Sequence, residues 1–284
     1  MKPKVKFETS VSLVTGAGSG IGKATALSLS RRGSRVICVD IDEKSAKEVA
    51  LQCDQEFASS SALKDPSRSE FTTHYQCDVR DDDQIQELAR SVHEDFGALT
   101  ILVNNAGVGM SGSFLSMTKQ DWEWIRSVNL DGVIACTRAF LPAMVERGYG
   151  HVVNLSSGLG YTPRATEPAY VTTKAGVLAF SQCLRAEVGH KGVGVSAICP
   201  GVINTPILSA TRFLGDQATA TNRLKVETLF GRGHRPETVA NAIISAISAN
   251  RAVVPVGWES WIGWVIHRLM PVGFQQVLAR QNPL

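Results

Sequence analysis

The sequence predicts an α/β protein with a doubly wound, parallel, seven-stranded sheet and a C-terminal helical extension. Short apolar, β-rich segments alternate with longer amphipathic ones as far as about residue 256. Strands such as Ile101-Leu102-Val103 are continuously apolar, which is expected when helices cover both faces of a parallel sheet. Because the alternation is unbroken, residues 1–256 are predicted to form one domain, although 284 residues could accommodate two.

The predicted strands are short, and helical patterns fill the gaps between them. They span residues 11–15, 35–40, 73–77, 100–104, 151–155, 193–198 and 252–256. Thr118 with Asp121 resembles a capping box at a helix start, and Pro236 suits a first helical turn. Residues 54–72 and 204–235 break the alternation, so both are expected to be loops or partly ordered insertions.

Composition excludes several classes of function. A net charge of +3, from 29 basic and 26 acidic residues, argues against a nucleic-acid partner. The 6 cysteines lie far apart without a CxxC pair, so neither a disulfide framework nor a metal site is expected. Residues 1–10 lack the apolar stretch of a signal peptide, and a cytoplasmic location is therefore expected.

The first predicted strand leads directly into a glycine-rich turn, Thr15-Gly16-Ala17-Gly18-Ser19-Gly20-Ile21-Gly22. Glycines let the backbone approach the phosphates of a dinucleotide, and N–H groups at the start of the following helix point at them. The spacing is T-G-x-x-x-G-x-G, because Ile21 stands where the G-x-G-x-x-G fingerprint has its third glycine. A glycine cluster alone can also be only a tight turn, so the interpretation depends on its context.

Asp40 supplies that context, since it ends the second predicted strand 18 positions after Gly22. An acidic side chain there accepts hydrogen bonds from a ribose 2′-OH and repels a 2′-phosphate, which favours NAD over NADP. Alternatively, Asp40 caps the helix that starts near Asp42. Ile41 offers no help to a 2′-phosphate, but three nearby arginines could bind one. They are Arg31, Arg32 and Arg35.

Tyr170 and Lys174 lie four residues apart in a segment with a helical pattern, so they share one face of a helix. An ammonium near a phenol favours the phenolate and lowers its pKa from about 10 toward neutral pH. Such a tyrosine can exchange the hydroxyl proton while hydride passes between a carbinol carbon and nicotinamide. A YxxxK spacing by itself also occurs as a surface pair.

Several short motifs occur together in a fixed order. They are Thr15 to Gly22, Cys77-Asp78-Val79, Asn104-Asn105-Ala106-Gly107, Asn129, Asn154-Leu155-Ser156-Ser157, Tyr170 to Lys174 and Pro200-Gly201. In this combination the chain resembles the short-chain dehydrogenase/reductase family, in its compact single-domain branch with a Rossmann-like fold. The resemblance covers about residues 10–256. Within the family, the chain is similar to actinobacterial members, some of which are active on lipids.

The resemblance implies a catalytic set of Asn129, Ser157, Tyr170 and Lys174. Ser157, rather than its neighbour Ser156, would hydrogen-bond the substrate oxygen. Lys174 would also hold the nicotinamide ribose, and Asn129 would position a water that links Lys174 to solvent. Without the family, Asn129 would be interpreted as an amide on a helix surface.

The resemblance also implies a cofactor cleft that Asn104 to Gly107 line. Asp78 and Val79 would contact adenine, and the segment after Pro200-Gly201 would meet the carboxamide. The complete set implied for the cofactor is Gly16, Ser19, Gly20, Ile21, Gly22, Asp40, Ile41, Asp78, Val79, Asn105, Ala106, Gly107, Tyr170, Lys174, Pro200, Gly201, Ile203 and Thr205.

Residues 204–235 occupy the position that covers the substrate in this family. Their apolar side chains suggest a lipophilic substrate, or alternatively pack this lid against its own domain. These side chains are Ile207, Leu208, Phe213, Leu214, Leu224 and Phe230. The expected activity is NAD(H)-dependent interconversion of a secondary alcohol and a ketone, or an alcohol and an aldehyde, with Tyr170 as general acid and base. The alternative is a catalytically silent nucleotide sensor or scaffold with the same fold.

Residues 257–284 form a tryptophan-rich C-terminal extension in which apolar residues recur at helical spacing. A transmembrane span is not expected, because Glu259, His267 and Arg268 interrupt it. The extension could pack on the protein or on a partner subunit, or it could be an interfacial helix in peripheral contact with a membrane. The family resemblance further implies a homodimer or homotetramer.

Overall fold

The computed structural model describes residues 5–59 and 72–280 and contains the predicted parallel sheet. Its strands are β1 (Val11–Thr15), β2 (Arg35–Asp40), β3 (Thr73–Gln76), β4 (Ile101–Asn104), β5 (Gly109–Ser111), β6 (Gly150–Leu155), β7 (Val193–Pro200), β8 (Thr211–Phe213) and β9 (Val253–Val256). The seven-stranded sheet has the order β3-β2-β1-β4-β6-β7-β9, and its strands pair in parallel. This arrangement confirms the doubly wound α/β prediction. Strands β5 and β8 form a separate parallel pair.

The helices are α1 (Gly20–Ser30), α2 (Glu43–Ser59), α3 (Asp82–Phe96), α4 (Lys119–Arg126), α5 (Gly132–Arg147), α6 (Pro168–Val188), α7 (Ala220–Gly231), α8 (Pro236–Ala249), α9 (Trp258–Leu269) and α10 (Val272–Arg280). A π-helical turn, Ser127–Asp131, joins α4 to α5. The predicted capping box is present at the start of α4, where Thr118 and Asp121 each accept the other's backbone N–H. Pro236 opens α8 as predicted.

Both faces of the sheet are covered, which explains the continuously apolar strands. In β1 the side chain of Leu13 belongs to one core and that of Val14 to the other. Leu102 and Val103 divide in the same way in β4. Because successive side chains of a strand point to opposite faces, a strand buried on both sides needs apolar residues at every position.

The segment α4–α5, Lys119–Arg147, is long and apolar enough to cross a membrane by length and composition alone. This is weak evidence for a span, because 44% of its apolar window is buried within the protein, as in a core helix. Phe140 and Met144 of this segment are fully buried against the sheet.

The two predicted loops differ from the structure. Residues 54–59 continue α2 rather than form a loop, and residues 60–71 lie outside the described residues. Within residues 204–235, β8 pairs with β5 and α7 forms a helix that buries no residue. Helix α7 therefore lacks the strongly apolar face of a core helix, and a strand pair between distant segments leaves no local signal. The loop prediction was therefore wrong at both elements.

The C-terminal extension consists of α9 and α10, as the helical spacing predicted. One face of α9 packs on the domain: Ser260 is buried, and the Trp264 ring meets the edge of Tyr161 at 5.1 Å between centroids. The opposite face is exposed, with 70% of Trp258 and 59% of Trp261 accessible to solvent. The extension therefore packs on its own domain through one face of α9, as the first interpretation expected, while the other face remains exposed.

Candidate active site

The carboxyl ends of β1, β2, β4, β6 and β7 surround a cavity of about 630 Å³. The strand order reverses between β1 and β4, and ligands of doubly wound sheets bind at this switch point. Of the residues predicted to bind the cofactor, all except Gly22 line this cavity. Ser157, Tyr170 and Lys174 line it as well, whereas Asn129 lies behind its wall.

The glycine turn leaves β1 and enters α1 with its backbone open to the cavity. Gly16 and Gly20 have φ values of +63° and +52°, a left-handed conformation that favours glycine. Gly22 faces away from the cavity, and a Cβ there would overlap the carbonyl oxygen of Gly16. Since Ser19 makes no side-chain cap, the first turn of α1 can present its N–H groups to a phosphate.

Asn105 fastens the glycine turn to the end of β4. Its Nδ2 donates to the carbonyl oxygens of Thr15 (2.9 Å) and Gly16 (3.0 Å). The N–H groups of Asn105 and Ala106 both donate to Thr15 Oγ1. Asn104, expected to line the cleft, is instead buried inside the sheet, where its Nδ2 donates to Asn154 Oδ1 at 2.8 Å.

Asp40 is tied to the glycine turn rather than to helix α2. Its Oδ2 accepts the Gly18 N–H at 2.9 Å, and its Oδ1 accepts the Asp42 N–H at 3.1 Å. Helix α2 begins only at Glu43, and the carboxylate of Asp42 accepts the N–H of Lys44. The capping interpretation of Asp40 is therefore not supported, and its carboxylate lies on the cavity wall beside Ile41.

The three arginines that could have favoured a 2′-phosphate do not line the cavity. Arg31 forms two hydrogen bonds with Glu56, Arg32 donates to the carbonyl oxygen of Ser28, and Arg35 lies over the ring of Phe96. Each guanidinium thus has contacts away from the site.

At the adenine end of the predicted cleft, Arg80 lines the cavity next to Asp78 and Val79. Its Nε lies 2.9 Å from both carboxylate oxygens of Asp78, and this hydrogen bonding lowers the pKa of Asp78. Sequence reasoning missed Arg80, although it follows directly after the Asp78-Val79 motif. The pairing reduces the net positive charge that Arg80 brings to this end of the cavity.

Asn129 lies on the π-helical turn between α4 and α5 and is fully buried. Its Oδ1 accepts the Val108 N–H at 2.8 Å, and its Nδ2 donates to the Val108 carbonyl at 2.9 Å. A Cβ on Gly107 would lie 3.3 Å from both Asn129 Oδ1 and Lys174 Nζ, so these two atoms approach the same point. The interpretation of Asn129 as a surface amide is wrong, and π turns of this kind often occur at functional sites.

Tyr170 and Lys174 face the cavity from α6, with Nζ 5.8 Å from the centre of the phenol ring. Nζ donates to the Leu155 carbonyl at 2.9 Å, and burial lowers the pKa of Lys174 to about 8. Burial raises the pKa of Tyr170 to about 12, while a hydrogen bond with Ser157 acts in the opposite direction. The expected lowering of the Tyr170 pKa is thus absent in the cofactor-free protein, because desolvation outweighs the favourable contacts.

The two serines after β6 have different partners. Ser157 Oγ accepts the Leu159 N–H at 3.1 Å, and the interaction of Ser157 with Tyr170 lowers the pKa of the phenol. Ser156 Oγ donates to the Lys174 carbonyl at 2.7 Å and so braces helix α6. Of the two serines, Ser157 is thus the one that influences the tyrosine.

Beyond the catalytic group, the lid and the α4 helix enclose an apolar end of the cavity. Its apolar lining includes Met110, Trp124, Leu159, Ile207, Leu208, Phe213, Val226, Leu229 and Phe230. Of the other predicted lid residues, Leu214 packs against the domain and Leu224 is exposed. The lid side chains therefore divide between the cavity wall, the domain and the solvent.

Polar groups also reach this apolar end, and sequence reasoning missed them. Arg164 and Glu167 line the cavity and pair at 3.3 Å, and burial raises the pKa of Glu167. The lid itself is held by Arg212, which stacks on Trp124 at 3.9 Å and pairs with Asp121 at 3.1 Å. Arg212 contacts residues that are distant in sequence, and Arg164 pairs with Glu167 within an irregular segment. No periodic pattern in the sequence could therefore predict these contacts.

Comparison with known proteins agrees with this site. The sequence model of the family described as short chain dehydrogenase matches residues 10–213. The mouse protein "15-hydroxyprostaglandin dehydrogenase [NAD(+)]" is 34% identical over 273 residues, covering 92% of this chain and 95% of its own length. The solved structure of a short-chain dehydrogenase from Streptomyces avermitilis has a TM-score of 0.79 at 27% identity, covering 96% of this chain and 98% of that chain.

A mycobacterial relative is longer than this chain. The "Probable oxidoreductase EphD" of Mycobacterium tuberculosis is 37% identical over 276 residues, which are 95% of this chain but 45% of that protein. The chain therefore spans less than half the length of this relative.

A doubly wound parallel sheet with a glycine turn at the carboxyl edge of its first strand is the architecture of dinucleotide-binding proteins. The chain belongs to the short-chain dehydrogenase family. Membership confirms the predicted family and the Rossmann-like fold.

Proposed function

We propose that this protein is an NAD(H)-dependent oxidoreductase that interconverts a secondary alcohol and a ketone on a lipophilic substrate. Aldehydes and their alcohols belong to the same chemistry. The observation that carries the proposal is the convergence of Ser157, Tyr170 and Lys174 with the glycine turn and Asp40 on one cavity. A silent nucleotide sensor would not need the first three residues in this arrangement.

The shape of the cleft fits a dinucleotide. The glycine turn at the start of α1 gives phosphates access to the backbone, and Gly22 closes the turn where no Cβ could be accommodated. Asp40 lies where it could accept hydrogen bonds from ribose hydroxyls, which favours NAD over NADP. When bound, the nicotinamide supplies the hydride acceptor or donor.

The side chains of the site then account for the proton chemistry. Ser157 and Tyr170 both line the cavity and can together hold the substrate oxygen. In oxidation Tyr170 takes the hydroxyl proton, and in reduction it returns a proton to the oxygen. Lys174 lies next to Tyr170, and Asn129 approaches the same point as Nζ, which supports its proposed role in a proton relay. Preorganised hydrogen bonds to the substrate oxygen would supply much of the acceleration.

The substrate class is inferred from the apolar end of the cavity. Side chains such as Leu208, Phe213 and Phe230 offer contact to a hydrocarbon group.

We expect NADH to quench or shift the tryptophan fluorescence on binding, and a panel of alcohols and ketones to show turnover that rises with hydrophobic chain length. Faster turnover of small hydrophilic polyols would reject the lipophilic substrate. NADH binding without turnover of any panel member would favour the silent alternative.

Cofactor choice can be tested at Asp40. Replacing Asp40 by alanine removes the ribose acceptor and the negative charge, so we expect NADH affinity to fall about tenfold, a change of about 1.4 kcal/mol. Affinity for NADPH should fall less or rise, because the repulsion of its 2′-phosphate is relieved. Fluorescence titration with both cofactors measures the ratio without any substrate.

The matched control is Asp42→Ala, because Asp42 is a neighbouring carboxylate outside the cavity wall. Its NADH to NADPH ratio should stay that of the wild type. A wild-type protein that prefers NADPH by tenfold would contradict the NAD assignment.

Assembly and location are part of the proposal. By family resemblance we infer a homodimer or homotetramer in the cytoplasm, which size-exclusion chromatography with light scattering would test. The exposed face of α9, with Trp258 and Trp261, supports peripheral contact with a membrane. Co-sedimentation with anionic vesicles would measure that contact, and a protein that stays entirely in the supernatant would argue against it.

A further inference from the structure

The first turn of α9 contacts the end of β7 and the exit of the lid through a single carboxylate. Oε1 of Glu259 accepts the N–H of Val202 at 2.7 Å, directly after the Pro200-Gly201 motif. Oε2 of the same carboxylate lies 3.1 Å from Nε2 of His234, at the end of the lid. Glu259 also lines the cavity, so this junction is part of the active-site wall.

The two segments joined by Glu259 are also bonded to each other. The His234 N–H donates to the Val202 carbonyl at 2.9 Å, and the Asn204 N–H donates to the His234 carbonyl at 2.9 Å. The peptide of Val202 is therefore held on both sides, by His234 at its carbonyl and by Glu259 at its N–H. Both ends of the lid meet at this point.

Glycines make room for the carboxylate. A Cβ on Gly201 would overlap the side chain of Glu259, and a Cβ on Gly257 would come within 3.0 Å of Glu259 Oε1 and of His234. Gly257 has a φ of +93°, which lets the chain turn from β9 directly into α9. The backbone is thus shaped around this carboxylate at two positions.

The next residue of α9 extends the junction to the catalytic serine loop. Ser260 Oγ donates to the Cys199 carbonyl at 2.6 Å, at the end of β7. The hydroxyl of Tyr161 donates to the Ser260 carbonyl at 2.9 Å. Tyr161 follows the 3-10 turn Gly158–Gly160, which begins immediately after Ser157. Two adjacent residues of α9 therefore contact the turn after β7, the lid and the Ser157 loop.

We propose that Glu259 is a positioning residue that holds the Pro200–Val202 turn against the cavity, and that the C-terminal extension is for this reason a component of the active site. The proposal rests on the proposed function and on the family resemblance, which implies that the carboxamide of the nicotinamide meets the segment after Pro200-Gly201. Without the carboxylate, the Val202 N–H loses its acceptor and His234 loses its partner, so the turn and the lid exit can shift.

The test compares two ligands that share the adenine end of the cleft. Glu259→Ala is expected to weaken NADH binding at least tenfold in a fluorescence titration. Binding of ADP-ribose, which lacks the nicotinamide, should change less than twofold by calorimetry. A general loss of structure would weaken both ligands equally, so the difference identifies a local positioning effect.

Variants of the same position make the result decisive. Glu259→Gln keeps an acceptor for the Val202 N–H, and its amide N–H can donate to His234 Nε2 when the imidazole carries its proton on Nδ1. NADH binding should therefore return to within threefold of the wild type. Glu259→Met keeps the side-chain volume without either bond, and it decides the question if the alanine variant does not fold. Trp261→Ala, on the exposed face of α9, is the control and should bind NADH like the wild type.

Equal NADH affinity of the wild type, Glu259→Ala and Glu259→Met would overturn the positioning role. Parallel losses of NADH and ADP-ribose binding in both variants would overturn it too, since they indicate general destabilisation. A wild-type protein that binds neither ligand would contradict the proposed function itself.

Discussion

Replacing Tyr170 by phenylalanine is expected to lower kcat by about three orders of magnitude, while NADH binding stays within about twofold. The substitution removes only the hydroxyl that would exchange the proton and whose pKa the interaction with Ser157 lowers. The ring and its position near Lys174 are retained. Steady-state kinetics on the best alcohol of the panel, together with NADH titration, measures both quantities.

The same site predicts the direction of a pH effect. Oxidation needs the phenolate, and burial keeps the pKa of Tyr170 near 12 in the cofactor-free protein. The rate of oxidation should therefore rise with pH in the wild type, and this dependence should disappear in Tyr170→Phe. Tyr75→Phe is the matched control, because its hydroxyl contacts Asp95 and lies outside the cavity wall. Near-wild-type turnover of Tyr170→Phe would refute the assignment.

Gly22→Ala is expected to destabilise the protein by about 3 kcal/mol and to weaken NADH binding at least tenfold. The new Cβ would overlap the Gly16 carbonyl oxygen and lie 2.6 Å from Asn105 Nδ2. Asn105 Nδ2 donates a hydrogen bond to the Gly16 carbonyl oxygen at 3.0 Å, and Gly16 already has a positive φ. The turn therefore has little freedom to move. Chemical denaturation and NADH titration measure the two effects.

Gly231→Ala is the control for this substitution. Gly231 ends α7, and a Cβ there would meet no atom within 4 Å. The stability of the Gly231→Ala protein should be unchanged or slightly higher than that of the wild type, because alanine is a better helix former than glycine. If Gly22→Ala unfolds at the denaturant concentration of the wild type and binds NADH normally, the proposed packing of the turn is incorrect.

Local patterns in the sequence were sufficient for the sheet and for most of the cleft. Continuously apolar segments of the sequence predict the strands, because burial on both faces requires an apolar side chain at every position. The glycine turn, Asp40 and the Tyr170-Lys174 spacing are also local, since each depends on neighbouring residues in one element. The strand order of the folded sheet then brings them to one cavity at its carboxyl edge.

Features formed by distant segments could not be anticipated in this way. The lid strand β8 exists because it pairs with β5, and helix α7 buries no residue completely, so it lacks the strongly apolar face of a core helix. The pKa of Tyr170 depends on how completely the surrounding elements exclude water, so a neighbouring lysine did not suffice to predict it.

The sequence by itself therefore determined the class of fold, and it predicted the glycine turn and the shared helix face of Tyr170 and Lys174, because these follow from periodicity and short spacing. Only the tertiary structure decided that Asn129 is buried beside Lys174 and that Glu259 of the C-terminal helix joins the lid to the turn after β7. Their partners lie far away in sequence, and contacts of that kind exist only once the chain has folded.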